Sequence, residues 1–160
     1  MVARSSFGTM LIINVPDNPQ ITPDIEKERH LKNYYENYIK SVKQSSKSGI
    51  ITDEKDNLIG ELKVKDFTLR IDTGSGVLLR DFRVLHANGA TYTFEFLHEN
   101  VHKEFAVPER EKFFNSIQVN ETISSSGQYT SHAPNSDSPD NNKYWILLIM
   151  EVLLAIGLTI

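Results

Sequence analysis

The chain contains no cysteine in its 160 residues. That removes disulfide frameworks, cysteine-ligated zinc knuckles, iron–sulfur clusters and thiol catalysis, and leaves the redox compartment open. Positive charge is not in excess either. The formal net charge is −4, and residues 120–160 hold Glu121, Asp137, Asp140 and Glu151 against Lys143 alone, so the rest of the chain is nearly neutral. A nearly neutral body lacks the basic face of a nucleic-acid binder, and no nucleic-acid partner is expected. Long apolar runs are missing before residue 144, because the stretch Met10–Val15 stops at Pro16 and is too short for a secretory signal. Internal repeats are absent. With 24% charged and 39% hydrophobic residues, the remainder has the composition of an ordinary folded protein with room for one domain.

Composition divides the chain into a body (residues 1–119), a tether (120–143) and an anchor (144–160). The tether sequence, NETISSSGQYTSHAPNSDSPDNNK, is dominated by Ser, Asn, Asp, Thr, Gly and Pro and predicts disorder. As a flexible coil it would reach roughly 25–30 Å. From Tyr144 and Trp145 to Ile160 the chain is apolar except for Glu151 and Thr159, which predicts a single membrane-spanning helix with an aromatic pair at the interface. Such a helix rises about 25 Å against a hydrocarbon core of about 30 Å, and a central carboxylate costs about 2.5–3.5 kcal/mol on insertion scales. An apolar tail after a polar spacer also fits a lipid-anchor signal, but that needs a secretory signal peptide. Lys143 on the body side and the absence of positive charge beyond the span place the body towards the cytoplasm. The lipid bilayer is therefore an expected partner, through residues 144–160.

The body reads as α+β: an antiparallel sheet packed by a long N-terminal helix and a short closing helix. Met10–Val15 suits a buried strand. Thr22-Pro23-Asp24 predicts a helix start, and Ile25, Leu31, Tyr34, Tyr35, Tyr38 and Val42 continue at helical spacing until Gly49. Leu58–Leu62 and Val64–Ile71 alternate as strands before the turn Thr73–Gly76. Val77–His86 and Ala90–Leu97 then form a hairpin through Asn88-Gly89, since both turn residues accept positive φ. Pro108–Ile117 predicts the closing helix, burying Phe113, Phe114 and Ile117.

The closing run Glu111-Lys112-Phe113-Phe114-Asn115-Ser116-Ile117, preceded by Ala90-Thr91-Tyr92-Thr93-Phe94, resembles the PsbP-like superfamily, which includes Mog-type Ran-binding import factors and uncharacterised bacterial domains. The likeness covers roughly Met10 to Val119. It implies an antiparallel sheet packed by helices and a noncatalytic role in binding or assembly, with an unidentified protein as partner. No functional residue carries over, because the shared positions look like core residues.

One motif carries possible chemistry. His98-Glu99-Asn100-Val101-His102 matches H-E-x-x-H, in which two histidines one helical turn apart bind zinc and the glutamate serves as general base. Phe94, Leu97, Val101 and Phe105 would fit a helical face through it. Against this, Tyr92, Phe94 and Phe96 alternate as a strand, Pro108 stands where a third histidine would be, and Glu121 lies in the tether. The expectation is two exposed histidines in the loop after the hairpin, with no catalytic residue, metal or cofactor. The alternative is a small membrane-anchored zinc metallopeptidase with His98 and His102 as ligands and Glu99 as base.

Thr73-Gly74-Ser75-Gly76 lacks the lysine and the strand-to-helix context of a phosphate loop and reads as a turn. Tyr34, Tyr35 and Tyr38 suit core positions with wet hydroxyls better than an aromatic binding patch. Asn120-Glu121-Thr122 is a glycosylation sequon only in a secretory lumen. Arg70, Arg80 and Arg83 read as a solvated sheet face. The function expected is a noncatalytic, membrane-tethered binding or assembly module.

Overall fold

The computed structural model describes residues 1–120 and 123–130. The expected anchor, with Tyr144, Trp145 and Ile160, and most of the expected tether lie outside the described residues. Among the described residues no helix is long and apolar enough to cross a membrane.

The fold is α+β. Six antiparallel strands, β1 (Val2–Arg4), β2 (Thr9–Pro16), β3 (Gly49–Ile59), β4 (Leu62–Asp72), β5 (Val77–Ala87) and β6 (Ala90–Glu99), form one sheet in the order β1-β2-β6-β5-β4-β3. Helix α1 (Glu28–Gln44) lies between β2 and β3 in the chain, and α2 (Lys103–Asn115) follows β6. Strands β3 to β6 form a meander, and β2 returns to pair with β6. The β5–β6 turn is the one predicted: Asn88 and Gly89 have φ of 51° and 68°, the mirror-image turn whose twist suits a two-residue hairpin.

Helix α1 covers one sheet face. Leu31, Tyr34, Tyr35, Tyr38, Ile39 and Val42 are buried at spacings of three and four, which puts them on one stripe. They pack with Phe67, Leu69, Phe82 and Val84, and the Phe67 and Phe82 rings stack at 4.7 Å. Each of the aliphatic side chains so buried contributes about 1.5–3 kcal/mol. The three tyrosines keep their hydroxyls bonded inside this layer: Tyr34 to the Thr91 hydroxyl, Tyr38 to that of Thr93 at 2.7 Å, and Tyr35 to the Lys63 carbonyl at 2.9 Å. They are dry core residues, not core residues with wet hydroxyls.

Helix α1 begins later than Thr22-Pro23-Asp24 predicts. The Thr22 hydroxyl accepts from the Asn18 amide at 2.9 Å, and Ile25 exchanges two 2.9 Å backbone hydrogen bonds with Thr130. A residue paired in that way is extended, so the helix starts beyond it. Helix α2 begins earlier than predicted, at Lys103, with Pro108 inside it. Phe113, Phe114 and Ile117 are half-buried, and Ile117 lies past the helix end. The β3 strand occupies Gly49–Ile59, where only Leu58 onwards reads as extended in sequence. Four consecutive charged residues, Asp53 to Asp56, obscure its alternation, and the register shifts between Thr52 and Lys55. Bulge and charge together protect this edge strand from pairing with another chain.

The boundary expected at Val119 is corrected by residues 123–130, which pack on the body. Ile123 and Val119 join a second apolar cluster with Leu62, Val64, Leu85 and Ala87. The chain then rounds the end of the sheet, where the Gly127 carbonyl accepts from the Asn88 amide at 2.7 Å. The buried Gln128 side chain accepts from Lys63 N–H at 2.8 Å and donates to the carbonyls of Lys63 at 2.8 Å and His86 at 3.1 Å. One amide thereby satisfies three backbone groups that the sheet ladder leaves open. A polar composition does not reveal such a role, because the glutamine enters the core through hydrogen bonds. Ending the chain at Val119 is expected to cost several kcal/mol relative to a chain ending at Thr130, at about 1 kcal/mol for each hydrogen bond that residues 123–130 make to the body. Urea midpoints of the two chains measure this, and equal midpoints would show that the strap adds nothing.

Candidate functional site

The second sheet face is polar at its centre and only partly covered. Strand alternation and the β4–β5 register place Asp66 opposite Arg83 and Thr68 opposite Asp81 on this face. Asp66 accepts from Arg83 Nε and Nη2, both at 2.7 Å, and from the Asn57 amide at 2.9 Å. Arg83 also donates to the Phe114 carbonyl at 3.3 Å and lies over the Phe114 ring at 5.3 Å. Two planar forks and a stacked ring hold this guanidinium to one position. Asp81 accepts from the Thr68 hydroxyl at 2.6 Å, faces His98 Nε2 at 3.1 Å, and stands 3.7 Å from Arg110 Nη1.

Helix α2 crosses this face, fixed by Phe113 beside Phe96 and by the Arg83–Phe114 contact. It leaves a groove of about 790 Å³ between itself and the bulged edge strand β3. That volume falls in the range of ligand sites, roughly 300–1,000 Å³. The floor is Asp66, Thr68, Asp81 and Arg83; Asp53, Lys55 and Asn57 stand on the β3 side, and Lys103, Arg110 and Glu111 on the α2 side. Asp53 has φ of 53°, which turns the β3 backbone at the bulge over the groove.

The H-E-x-x-H residues are not on a helix. His98 lies in β6 and Glu99 ends that strand, while His102 closes a short 3-10 turn before α2. His98 is buried, which corrects the expectation of two exposed histidines: one ring nitrogen faces Asp81 and the other faces the Glu99 carbonyl at 3.3 Å. His102 is about half exposed, 3.6 Å from the Glu99 carboxylate and against the Phe7 ring. The i to i+4 geometry that places two imidazoles on one metal belongs to a helical turn, and this backbone is extended through His98 and Glu99. Among the described residues no group of three or more histidine, aspartate or glutamate side chains is arranged to hold a metal ion.

The arginines expected on one solvated face divide between two. Arg80, opposite Leu69 and Leu97, points to the α1 face, where Nη2 donates to the Glu95 carboxylate at 3.0 Å, both side chains being buried. Arg83 is committed to Asp66, and Arg70 alone is exposed. Odd and even positions of β5 carry the distinction, so the parity of Arg80 and Arg83 is a signal that sequence reading could have used. The register from the Thr73–Gly76 turn would likewise have paired Asp66 with Arg83. The buried partner Glu95 carries no such signal, since it sits among Phe94, Phe96 and Tyr92 as an apparent surface position.

No family model matches the chain, and no curated protein matches it at a significant level.

Proposed function

We propose that the chain is a noncatalytic binding or assembly module: the α+β body receives a protein partner in the groove between α2 and β3, and residues 144–160 hold the body at a lipid bilayer. The observation that carries this reading is the saturation of the groove floor. Asp66 is spent on Arg83 and Asn57, and Asp81, which accepts from the Thr68 hydroxyl, is held by His98 at the same time. Such a floor is rigid and preorganised, which favours recognition, whereas nucleophilic or acid–base catalysis needs a group free to exchange a proton. The PsbP-like rhythm of residues 90–117 supports the same reading. A body facing the cytoplasm, with no nucleic-acid partner, is consistent with Lys143 and with the near-neutral charge. The zinc metallopeptidase alternative has less support, because His98 has both ring nitrogens engaged by protein oxygens.

Three measurements test this. A photo-crosslinker at Asn115 in the groove should trap one specific protein that a crosslinker at exposed Ile50 does not. Removing residues 144–160 should release the chain from the membrane fraction, and in intact cells the body should be protected from external protease. Equal trapping from both positions would remove the groove from the proposal. Stoichiometric zinc lost on His98→Ala, with peptide hydrolysis abolished by Glu99→Gln, would establish the enzyme instead.

A further inference from the structure

We infer that the solvent face of α1 is a docking surface for an anionic lipid leaflet, held to it by Arg29, Lys32, Lys40, Lys43 and Lys47. This rests on residues 144–160 holding the chain at a bilayer, and adds which face of the body meets the lipid.

The near-neutral charge of the body is the sum of two unlike parts. Residues 26–47 hold six cations against three anions, a net +3, while the remainder of residues 1–119 holds ten against fourteen, a net −4. Within the basic part the charge lies on one side. At about 100° per residue, Arg29, Lys32, Lys40 and Lys43 fall within an arc of about 60°. That arc is opposite the stripe of Leu31, Tyr34, Tyr38 and Val42 that packs on the sheet. All four cations are exposed, as is Lys47 in the turn after the helix, and none of the five makes an ion pair among the described residues. Glu36 is the one anion inside the arc and is half-buried, and Glu28, outside it, is held by Lys63 at 2.5 Å.

Helix stability accounts for only part of this pattern. Lys43 in the last turn suits the helix dipole, whereas Arg29 in the first turn opposes it, and Lys32 and Lys40 lie where the dipole has little effect. Cations spread along the whole length suit contact with an extended anionic surface. No large apolar side chain is exposed on α1, so the face lacks the apolar anchors that a protein interface uses.

The chain leaves the described body beside this helix. Thr130 exchanges two 2.9 Å backbone hydrogen bonds with Ile25, three residues before α1 begins. Thirteen residues, 131–143, then separate Thr130 from Tyr144. However they are arranged, they span at most about 50 Å, and α1 is about 25 Å long. The whole stripe is therefore within reach of the bilayer that the anchor enters. A cytoplasmic leaflet is anionic and attracts basic surfaces next to a span. The groove occupies the other sheet face, so a body resting on α1 turns the groove outward to its partner.

The chain has no cysteine, so one introduced thiol reports on one place. The test reconstitutes the full chain in nanodiscs of phosphatidylcholine, alone or enriched in phosphatidylserine, with a fluorophore on Asn33→Cys, exposed on α1, or on Asn115→Cys, exposed on the groove side. Phosphatidylserine should cut acrylamide quenching several-fold at position 33 and leave it unchanged at position 115, and added salt should restore it. The combined variant Lys32→Gln, Lys40→Gln, Lys43→Gln should weaken docking on the order of a hundredfold and so abolish the protection. The variant Lys32→Arg, Lys40→Arg, Lys43→Arg, which keeps the charge, should retain it and guards against a folding defect. Equal quenching at position 33 in both lipids, in a chain that has entered the discs, would overturn the α1 surface and leave the anchor standing. A chain that does not enter the discs would overturn both. Protection of position 33 by single-stranded RNA or polyglutamate, with none from phosphatidylserine, would overturn the inference by assigning the stripe to a soluble polyanion.

Discussion

Replacing Arg80 with alanine is expected to destabilise the body by about 3–5 kcal/mol, the scale of a buried ion pair broken on one side. Arg80 Nη2 and Nε both reach the Glu95 carboxylate, whose side chain is 1% exposed. Without the guanidinium that carboxylate has no water to turn to. It sits under α1, beside the Tyr38–Thr93 hydrogen bond, in a buried layer whose other polar groups are bonded to one another. Removing Arg80 also strips the cation from the face of the Phe82 ring, 5.2 Å away. Against a typical domain stability of about 5–15 kcal/mol this is a large fraction. The double variant Arg80→Met, Glu95→Leu should recover most of the loss, because an apolar pair of similar size escapes the desolvation cost that an ion pair must offset. Urea denaturation of the three variants measures the coupling. A loss below about 1 kcal/mol for Arg80→Ala would show that Glu95 finds other partners.

Raising the pH above 10 is expected to unfold the body steeply. Burial pushes the phenols of Tyr34, Tyr35 and Tyr38 well above their usual value, partly opposed by hydrogen bonds to Thr91, to His86 and Gln128, and to Thr93 respectively. In the unfolded chain these phenols ionise near pH 10. Below that pH both states hold the protons and the stability is fully present. Above it the unfolded chain releases protons that the folded body retains, so stability falls as pH rises towards the folded values. The slope is up to about 1.4 kcal/mol per pH unit for each tyrosine, or roughly 4 kcal/mol per unit for the three. Tyr38→Phe should reduce the slope by about a third, whatever it does to stability at neutral pH. Denaturant midpoints between pH 9 and 11.5 give the slope directly. A flat profile over that range would mean that the phenols ionise without opening the layer between α1 and the sheet.

These two effects arise from neighbouring positions on one face, and they show the kind of residue that carries this fold. Glu95, Thr93 and Thr91 alternate with aromatic residues along β6, and alternation alone assigns them to a polar, outward surface. The register with β2 and β5 instead directs them beneath α1, where Thr91 and Thr93 meet tyrosine hydroxyls and Glu95 meets Arg80. The phenylalanines that look like core, Phe94 and Phe96, face the groove side. Phe96 is fully buried there, beside Phe113, whereas Phe94 is only half-buried. Period-two patterning identifies two faces but does not say which one a helix will cover.

Local chemistry was sufficient for several elements. The α+β class, the stripe of Leu31, Tyr34, Tyr35, Tyr38 and Val42, the Asn88-Gly89 hairpin and the turn at Thr73–Gly76 are all legible residue by residue. Each depends on contacts or dihedrals within a few positions of itself, such as the positive φ that Asn and Gly tolerate. The features that needed the folded chain are those made by residues far apart. Ile25 reads as helix until Thr130 claims both of its backbone groups, and Gln128 reads as tether until it meets the open amides of β4 and β5. His98 and Glu99 read as half of a zinc motif until β5 sets Asp81 against the imidazole. The groove belongs to this second kind, since Lys55, Arg70 and Arg110 come from three elements with no spacing in common. Short-range propensity acts before the chain closes on itself; a buried polar group keeps its place only when a distant partner replaces the water it has lost.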